Sequence, residues 1–206
     1  MSPRAYKMGK RAAAVAETKR RILEAALAEY AETGIAEASM QSVARRADVA
    51  PGTVLYHFPD PAALADAVLD ERASKMHVPD PATVAGAGDL HARVRLLTAE
   101  LFRIYHDTDL DYRVWMRSRE HPAMTRVEAW YNERYAAVLA AALGEAADPR
   151  AFQVSSALID PGFRAGLEMR GLSADEAVDE TVALLMAWLR GRDPEASSGA
   201  ASHPSP

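Results

Sequence analysis

Cysteine is absent from the 206-residue sequence. That excludes disulfides, thiol catalysis and a cysteine-held zinc, and it fits a reducing compartment. Long apolar runs are absent as well. Runs such as Val182 to Trp188 fall far short of the roughly 20 residues that a membrane-spanning helix needs. The first fifteen residues are basic and Ala-rich, without the apolar stretch of a signal peptide, so a cytoplasmic protein with no membrane partner is expected. Catalytic signatures are missing too. None of the six histidines has a glutamate three positions before it, as an inward-facing Glu-x-x-His pair would require, and neither His-Glu-x-x-His nor Gly-x-Ser-x-Gly occurs. His91, His106 and His121 recur at fifteen-residue steps on separate expected helices, a spacing without metal-ligand logic. No catalytic residue, metal or cofactor is expected, and an enzyme is the disfavoured class.

Strict alternation of apolar and polar residues is lacking, whereas apolar residues recur at three- and four-residue steps almost throughout. The fold class is therefore all-α. Charge is unevenly spread. Residues 1–58 hold nine Lys/Arg against six Asp/Glu, a net of +3, so the remainder carries -8 of the overall -5. A polyanion would meet the front of the chain.

The expected organisation has four parts: a flexible basic arm over 1–14, a helix-turn-helix domain over 15–60, a second helical domain over 61–190, to which the family resemblance given below assigns effector binding and dimerisation, and a disordered Gly/Ser/Ala/Pro-rich tail over 191–206. A helix from about Glu17 to Glu32 aligns Ile22, Ala26 and Tyr30, and Gly34 is placed to end it. Ser39 caps a second helix that buries Met40, Val43, Ala44 and Ala47. After Asp48-Val49-Ala50, Pro51 opens a short helix to about Phe58, and another follows from Pro61 to Lys75. Five longer helices are expected beyond the Pro- and Gly-bearing connection at 76–89. One of them, near Pro149 to Arg170, contains Pro161-Gly162 and should kink or split there.

The segment Arg21-Ile22-Leu23-Glu24-Ala25-Ala26, then Gly34, then Ser39-Met40-Gln41-Ser42-Val43-Ala44, Val49-Ala50-Pro51-Gly52-Thr53-Val54 and His57-Phe58, resembles the TetR-type (tetracycline-repressor-like) regulators over about residues 17–70. Leu158-Ile159-Asp160 also resembles a segment of that family's dimerisation region. The resemblance implies a homodimeric regulator, by default a repressor, that leaves a double-stranded DNA operator when it binds a small molecule. The sequence departs from the family pattern at four places: Asp48 stands where a turn glycine is common, Ala50 for a capping serine, Leu55 for a tyrosine and Pro61 for a lysine. These departures keep an alternative open, a helical interaction module of the same fold that has lost specific DNA binding. Salt-dependent affinity for DNA separates the two.

In a recognition helix the N-terminal residues reach base edges, here Pro51, Gly52 and Thr53. With few long polar side chains among them, DNA shape should carry part of the specificity. Tyr56, His57, Ser39 and Gln41 are placed for phosphates, Arg45 and Arg46 for the backbone, and Lys7, Lys10 and Arg11 for a neighbouring minor groove. The plainer alternatives are a solvated face for Arg45 and Arg46 and a packing role for His57.

Aromatic residues gather in the middle helices. With the resemblance, they suggest a pocket for an apolar or aromatic effector lined by Phe102, His106, Tyr112, Trp115, Arg117, Trp130, Tyr131, Phe152 and Ser155, although most such residues are ordinarily core. Leu158, Leu167, Val178, Val182, Leu185 and Leu189 form stripes suited to an intersubunit bundle, the alternative being that they cover their own subunit's core. The helix beginning near Pro61 is expected to link the halves and carry the effector's signal.

Overall fold

The computed structural model describes residues 3–192, with side chains from residue 10 onward, and all regular structure among them is helical. The helices are α1 (Pro3–Thr33), α2 (Met40–Arg46), α3 (Pro51–His57), α4 (Pro61–Lys75), α5 (Pro81–Ala85), α6 (Leu90–Asp107), α7 (Asp109–Ser118), α8 (Pro122–Leu143), α9 (Pro149–Leu158), α10 (Pro161–Glu168) and α11 (Ala174–Arg190). A 3-10 turn, Gly144–Ala146, follows α8.

Proline opens α3, α4, α5, α9 and α10 at the first turn, where its missing N–H costs nothing. For the last four, the aspartate just before it caps the freed amides. Asp60 accepts from Ala63 N at 2.8 Å, and Asp148 accepts from Arg150 N and Ala151 N at 2.8 Å each. Asp-Pro pairs thus set four of the eleven described helix starts. The same device splits the helix expected over 149–170: α9 stops at Leu158, and Asp160 caps α10 by accepting from Gly162 N at 2.7 Å.

The chain divides into two compact units whose boundaries differ from the sequence expectation. The first comprises 1–76 and 108–130, the second 77–107 and 131–206. Thus α4 belongs wholly to the first unit and does not span the two. Along the chain the units meet after Met76, after Asp107 and inside α8, whose Pro122–Trp130 portion belongs to the first and Tyr131–Leu143 portion to the second.

In the first unit, Ile22, Ala26 and Tyr30 of α1 pack with Val43 and Ala44 of α2, Val54 of α3 and Leu64, Ala65 and Val68 of α4. Val114 of α7 and Met124 and Val127 of α8 belong to the same core. Sequence periodicity placed the α1 and α2 members but gave no sign that α7 would join them. The reason lies at the end of α1. Gly34, at φ +89°, breaks the helix, and its added Cβ would stand 3.2 Å from the Arg117 carbonyl oxygen. Close packing there lets Arg117 Nε donate to the Ala31 carbonyl at 3.0 Å, while Ile35 N donates to the buried Ser118 Oγ at 2.9 Å. A helix C-terminus leaves carbonyls unpaired and carries a partial negative charge, and α7 supplies both a donor and a cation.

The expected flexible arm is a correction: α1 begins at Pro3 and runs unbroken through residues 10–17, all of them exposed. Its Ala, Arg and Lys content favours helix even without burial. The tail expected over 191–206 lies outside the described residues except for Gly191 and Arg192.

The second unit has its own core. Val94, Leu97, Leu101 and Phe102 of α6 pack with Val138, Leu139 and Leu143 of α8, Ala151 of α9 and Val178, Val182, Leu185 and Leu189 of α11. A capping box starts α11, with Glu176 N donating to Ser173 Oγ and Ser173 N donating to Glu176 at 2.8 Å. No described helix is long and apolar enough to cross a membrane.

Candidate nucleic-acid interface

Two short helices and a tight turn, held against α1, present the site. Ser39 and Ser42 close a capping box at the start of α2, so the Ser39 hydroxyl is engaged with Ser42 at 3.0–3.1 Å. At the other end of α2, Arg46 pairs with Glu29 at 3.0 Å and Glu32 at 2.5 Å on α1. Its guanidinium holds the Glu32 carboxyl below its ordinary range. Arg46 is therefore a structural tie between helices, while its neighbour Arg45 is exposed and has no ion pair among the described residues. Of the two arginines read as candidate phosphate ligands, only Arg45 keeps its charge directed to solvent.

Asp48 occupies the left-handed region at φ 52°, where a glycine is commonest and Asp or Asn is the next best tolerated. Val49 N donates to the Ala44 carbonyl at 3.0 Å, which closes the turn. Ala50 then precedes α3 with no side-chain cap, and Pro51 takes the first position. Val54, fully buried, anchors α3 to the core, and Phe58 is buried after it with the Lys19 ammonium 5.7 Å from its ring centre.

With Val54 inward, the opposite face of α3 is presented to solvent. Pro51 and Gly52 are exposed, Thr53 is half-buried, and a Cβ at Gly52 would meet nothing within 4 Å. Tyr56 is 79% exposed and its ring stands edge-on to His57 at 5.2 Å between centres. Leu55, at 51%, is the apolar member of this face. A large aromatic left this bare on a seven-residue helix has no packing role and is free to meet a partner. Ser39, Gln41, Arg45, Pro51, Gly52, Thr53, Tyr56 and His57 all lie in the first unit. Lys10 is exposed on the α1 extension. The interhelix clamp made by Arg21, whose Nη2 donates to the Asp48 carbonyl at 3.0 Å and to that of Ala47, was not anticipated.

The residues expected to line an effector pocket are divided between the two units. Tyr112, Trp115, Arg117 and Trp130 belong to the first unit, and Phe102, His106, Tyr131, Phe152 and Ser155 to the second. Arg117 is occupied in capping α1. Trp115 is half-buried, stacks with Tyr112 at 5.9 Å between ring centres and donates its indole N–H to Glu128. His106 is exposed and Phe102 is buried core. Tyr131 and Phe152 both meet Tyr135, and Tyr131 pairs with Tyr105, while Ser155 is fully buried on α9. The pairing stripe also needs correction. Val178, Val182, Leu185 and Leu189 are buried in their own unit, because α11 turns this face toward α6. Its outer face carries Ala183, Leu184 and Ala187, and α10 offers half-buried Leu167 beside the 86% exposed Met169, while Leu158 is half-buried at the end of α9. Among the described residues no group of three His, Asp or Glu is placed to hold a metal.

A capped helix, a tight turn and a second helix with a bare polar-aromatic face define a helix-turn-helix DNA-binding protein. Residues 22–68 match the family described as bacterial regulatory proteins, tetR family. The HTH-type transcriptional regulator BetI of Burkholderia thailandensis is 29% identical over 178 residues, covering 81% of this chain and 87% of that one. Among solved structures, NalD of Pseudomonas aeruginosa, described as the secondary repressor of the MexAB-OprM multidrug efflux pump, shares the fold at a TM-score of 0.55 and 19% identity, over 83% of this chain and 95% of that one. The multidrug binding protein EbrR, solved in complex with ethidium, matches at a TM-score of 0.50 and 27% identity, over 82% and 98%. Residues 22–68 thus carry a DNA-binding domain of the tetR type, in a chain whose relatives are HTH-type transcriptional regulators. The chain is a DNA-binding transcriptional regulator, not an enzyme.

Proposed function

We propose that the protein is a repressor that binds a palindromic operator as a homodimer and is released by a small-molecule effector of apolar or aromatic character. The bare face of α3 carries the reading: Pro51, Gly52 and Thr53 lie at its N-terminal end, and Tyr56 projects one turn on. In this reading Gly52 permits close approach of the backbone, and Thr53 meets a base edge or a thymine methyl. Tyr56, His57, Gln41 and Arg45 contact phosphates, Ser39 contributes through its backbone position, and Lys10 acts from the helical extension of α1. A single seven-residue helix buries too little surface to be specific. Two copies about 34–36 Å apart read a palindrome.

The outer faces of α10 and α11, with Met169, Leu184 and Leu167, supply apolar surface for that dimer. An aromatic effector agrees with the tyrosine cluster of the second unit and with ethidium as the ligand of EbrR. Effector and operator couple only through different affinities for two arrangements of the chain. Since α4 lies within the DNA-binding unit, α8, which contributes residues to both units, is the element assigned to transmit the change.

Selection of bound duplexes from a random pool, followed by titration at two salt concentrations, tests this reading. A palindrome bound by two chains, with affinity falling as salt rises, is expected. Failure to enrich any sequence at low salt overturns it in favour of the protein-interaction alternative.

A further inference from the structure

Leu55 stands bare on α3, 51% exposed beside Tyr56. Its place on the helix decides what it can touch. Side chains on a helix lean toward its N-terminus and lie over the positions three and four residues earlier. For Leu55 those positions are Gly52 and Pro51, both exposed, and a Cβ at Gly52 would meet nothing within 4 Å. Val54 is the buried residue that anchors α3, so the stripe Pro51-Gly52-Leu55 faces away from the core, with open ground where glycine has no side chain.

The chemistry of α3 narrows the partner. Its seven residues, Pro-Gly-Thr-Val-Leu-Tyr-His, include none of the Arg, Lys, Asn, Gln, Asp or Glu side chains that read base edges through long or bidentate hydrogen bonds. Along the stripe there is no side-chain donor or acceptor, and Pro51 lacks even its amide N–H. Pressed into a major groove, an isobutyl group strips water from the base edge it covers and returns no hydrogen bond. That is costly against adenine, guanine or cytosine, whose groove edges are donors and acceptors, and costlier against a phosphate. Thymine differs, because its C5-methyl group stands out into the same groove as an apolar knob.

We propose that Leu55 is a specificity-determining residue, packing on the C5-methyl of one thymine in each operator half-site over the space that Gly52 leaves open. Where the family pattern has a tyrosine, this chain exchanges a phenol for an apolar contact, and Tyr56 carries the phenol one position later. The inference rests on the operator reading above and adds to it the identity of one base.

Replacing each thymidine of the duplex that the full chain selects from a random pool, one at a time, by deoxyuridine tests it, since the two pair identically and differ only in that methyl. At one position per half-site the exchange should weaken binding about fourfold, the effect of one buried methyl group. Leu55→Ala, at an exposed position, should melt as the wild type does, bind the thymidine duplex more weakly and no longer distinguish thymidine from deoxyuridine at that position. Tyr56→Phe should weaken binding to both duplexes alike and keep the wild-type ratio between them. Equal affinity for thymidine and deoxyuridine at every position overturns the inference. So does a discrimination that survives in Leu55→Ala, which would assign the methyl to Thr53. Either result leaves the regulator reading standing, because a duplex was selected, whereas failure to enrich any duplex overturns that reading and this inference with it.

Discussion

Arg21 of α1 donates to the backbone carbonyl of Asp48 at 3.0 Å and, through the same nitrogen, to that of Ala47. One side chain thereby closes the C-terminal end of α2 and fixes the turn that aims α3. A guanidinium suits both tasks, because it pairs with carbonyls left open at a helix end and complements the negative end of the helix dipole. Removing it in Arg21→Ala should lower stability by about 1–2 kcal/mol, allowing for its partial exposure. It should also weaken operator binding by more than the stability loss alone explains. Urea denaturation and DNA titration of the same variant check the two effects, and normal DNA affinity in a destabilised chain would show that Arg21 does not aim α3.

The turn itself carries two departures from the family pattern, and both are stability defects. Asp48 sits at φ 52°, a region glycine enters without penalty, and its carboxylate reaches only a 3.8 Å pair with Arg21 while fully exposed. Asp48→Gly should be neutral to stabilising by up to about 1 kcal/mol. Ala50→Ser supplies the missing cap of α3 and should add about 1 kcal/mol. Thermal melting of each single variant and of the pair measures this. A drop in stability for Ala50→Ser would mean that the α3 amides already have a better partner than a serine hydroxyl.

The buried contact between Ile35 N and Ser118 Oγ joins the segment after α1 to α7 across 83 residues of sequence. Ser118→Ala leaves an amide with no acceptor in a site where both residues are nearly inaccessible, at a cost of about 1–3 kcal/mol. Because α7 closes the core of the DNA-binding unit, hydrogen exchange should quicken in α1 and α7 together. Faster exchange confined to α7 would argue that the two helices open independently.

Local signals carried much of this fold. Ser39, Gly34, Pro51 and the Asp-Pro pairs act within a few residues of where they stand, so the limits of α2, α3, α4, α6 and the split between α9 and α10 were readable from order alone. Two kinds of feature were not. The helical extension of α1 over residues 3–16 has no amphipathic pattern to announce it, only propensity. The membership of α7 in the first unit depends on Arg117 and Ser118 meeting Ala31 and Ile35, contacts that no periodicity encodes. The site divides in the same way. Pro51, Gly52 and Tyr56 follow from the position of α3, whereas the roles of Arg46 and Arg21 depend on which partner each finds across helices. Periodicity also identified the apolar stripe of α11 without saying which partner it faces, and Val182 and Leu185 proved to face their own core.

Arg45 and Arg46 are adjacent in sequence and should behave oppositely. Arg46 is committed to Glu29 and Glu32, so Arg46→Ala should lower stability and leave the salt dependence of DNA binding nearly unchanged. Arg45 has no such commitment, and Arg45→Ala should leave melting unaltered while reducing the slope of log affinity against log salt by about 1. Tyr56→Phe should lose affinity without a change in stability. Equal salt slopes for wild type and Arg45→Ala would remove that residue from the interface.

The capping box of α11 gives the second unit a defined pH response. Glu176 accepts from Ser173 N at 2.8 Å and from Ser173 Oγ at 2.7 Å, and these bonds hold its carboxyl below the ordinary value of 4.5. With the folded pKa depressed, the unfolded chain takes up a proton more readily than the folded one. The contribution is present above the unfolded pKa and disappears as pH falls through the folded one. Glu176→Gln keeps an oxygen for the box but has no charge to lose. The gap in melting temperature between wild type and this variant should therefore be widest near pH 7 and close on acidification below about 4. A gap that stays constant from pH 7 to pH 3 would show that the box stabilises α11 by geometry alone, with no share from the ionised carboxylate.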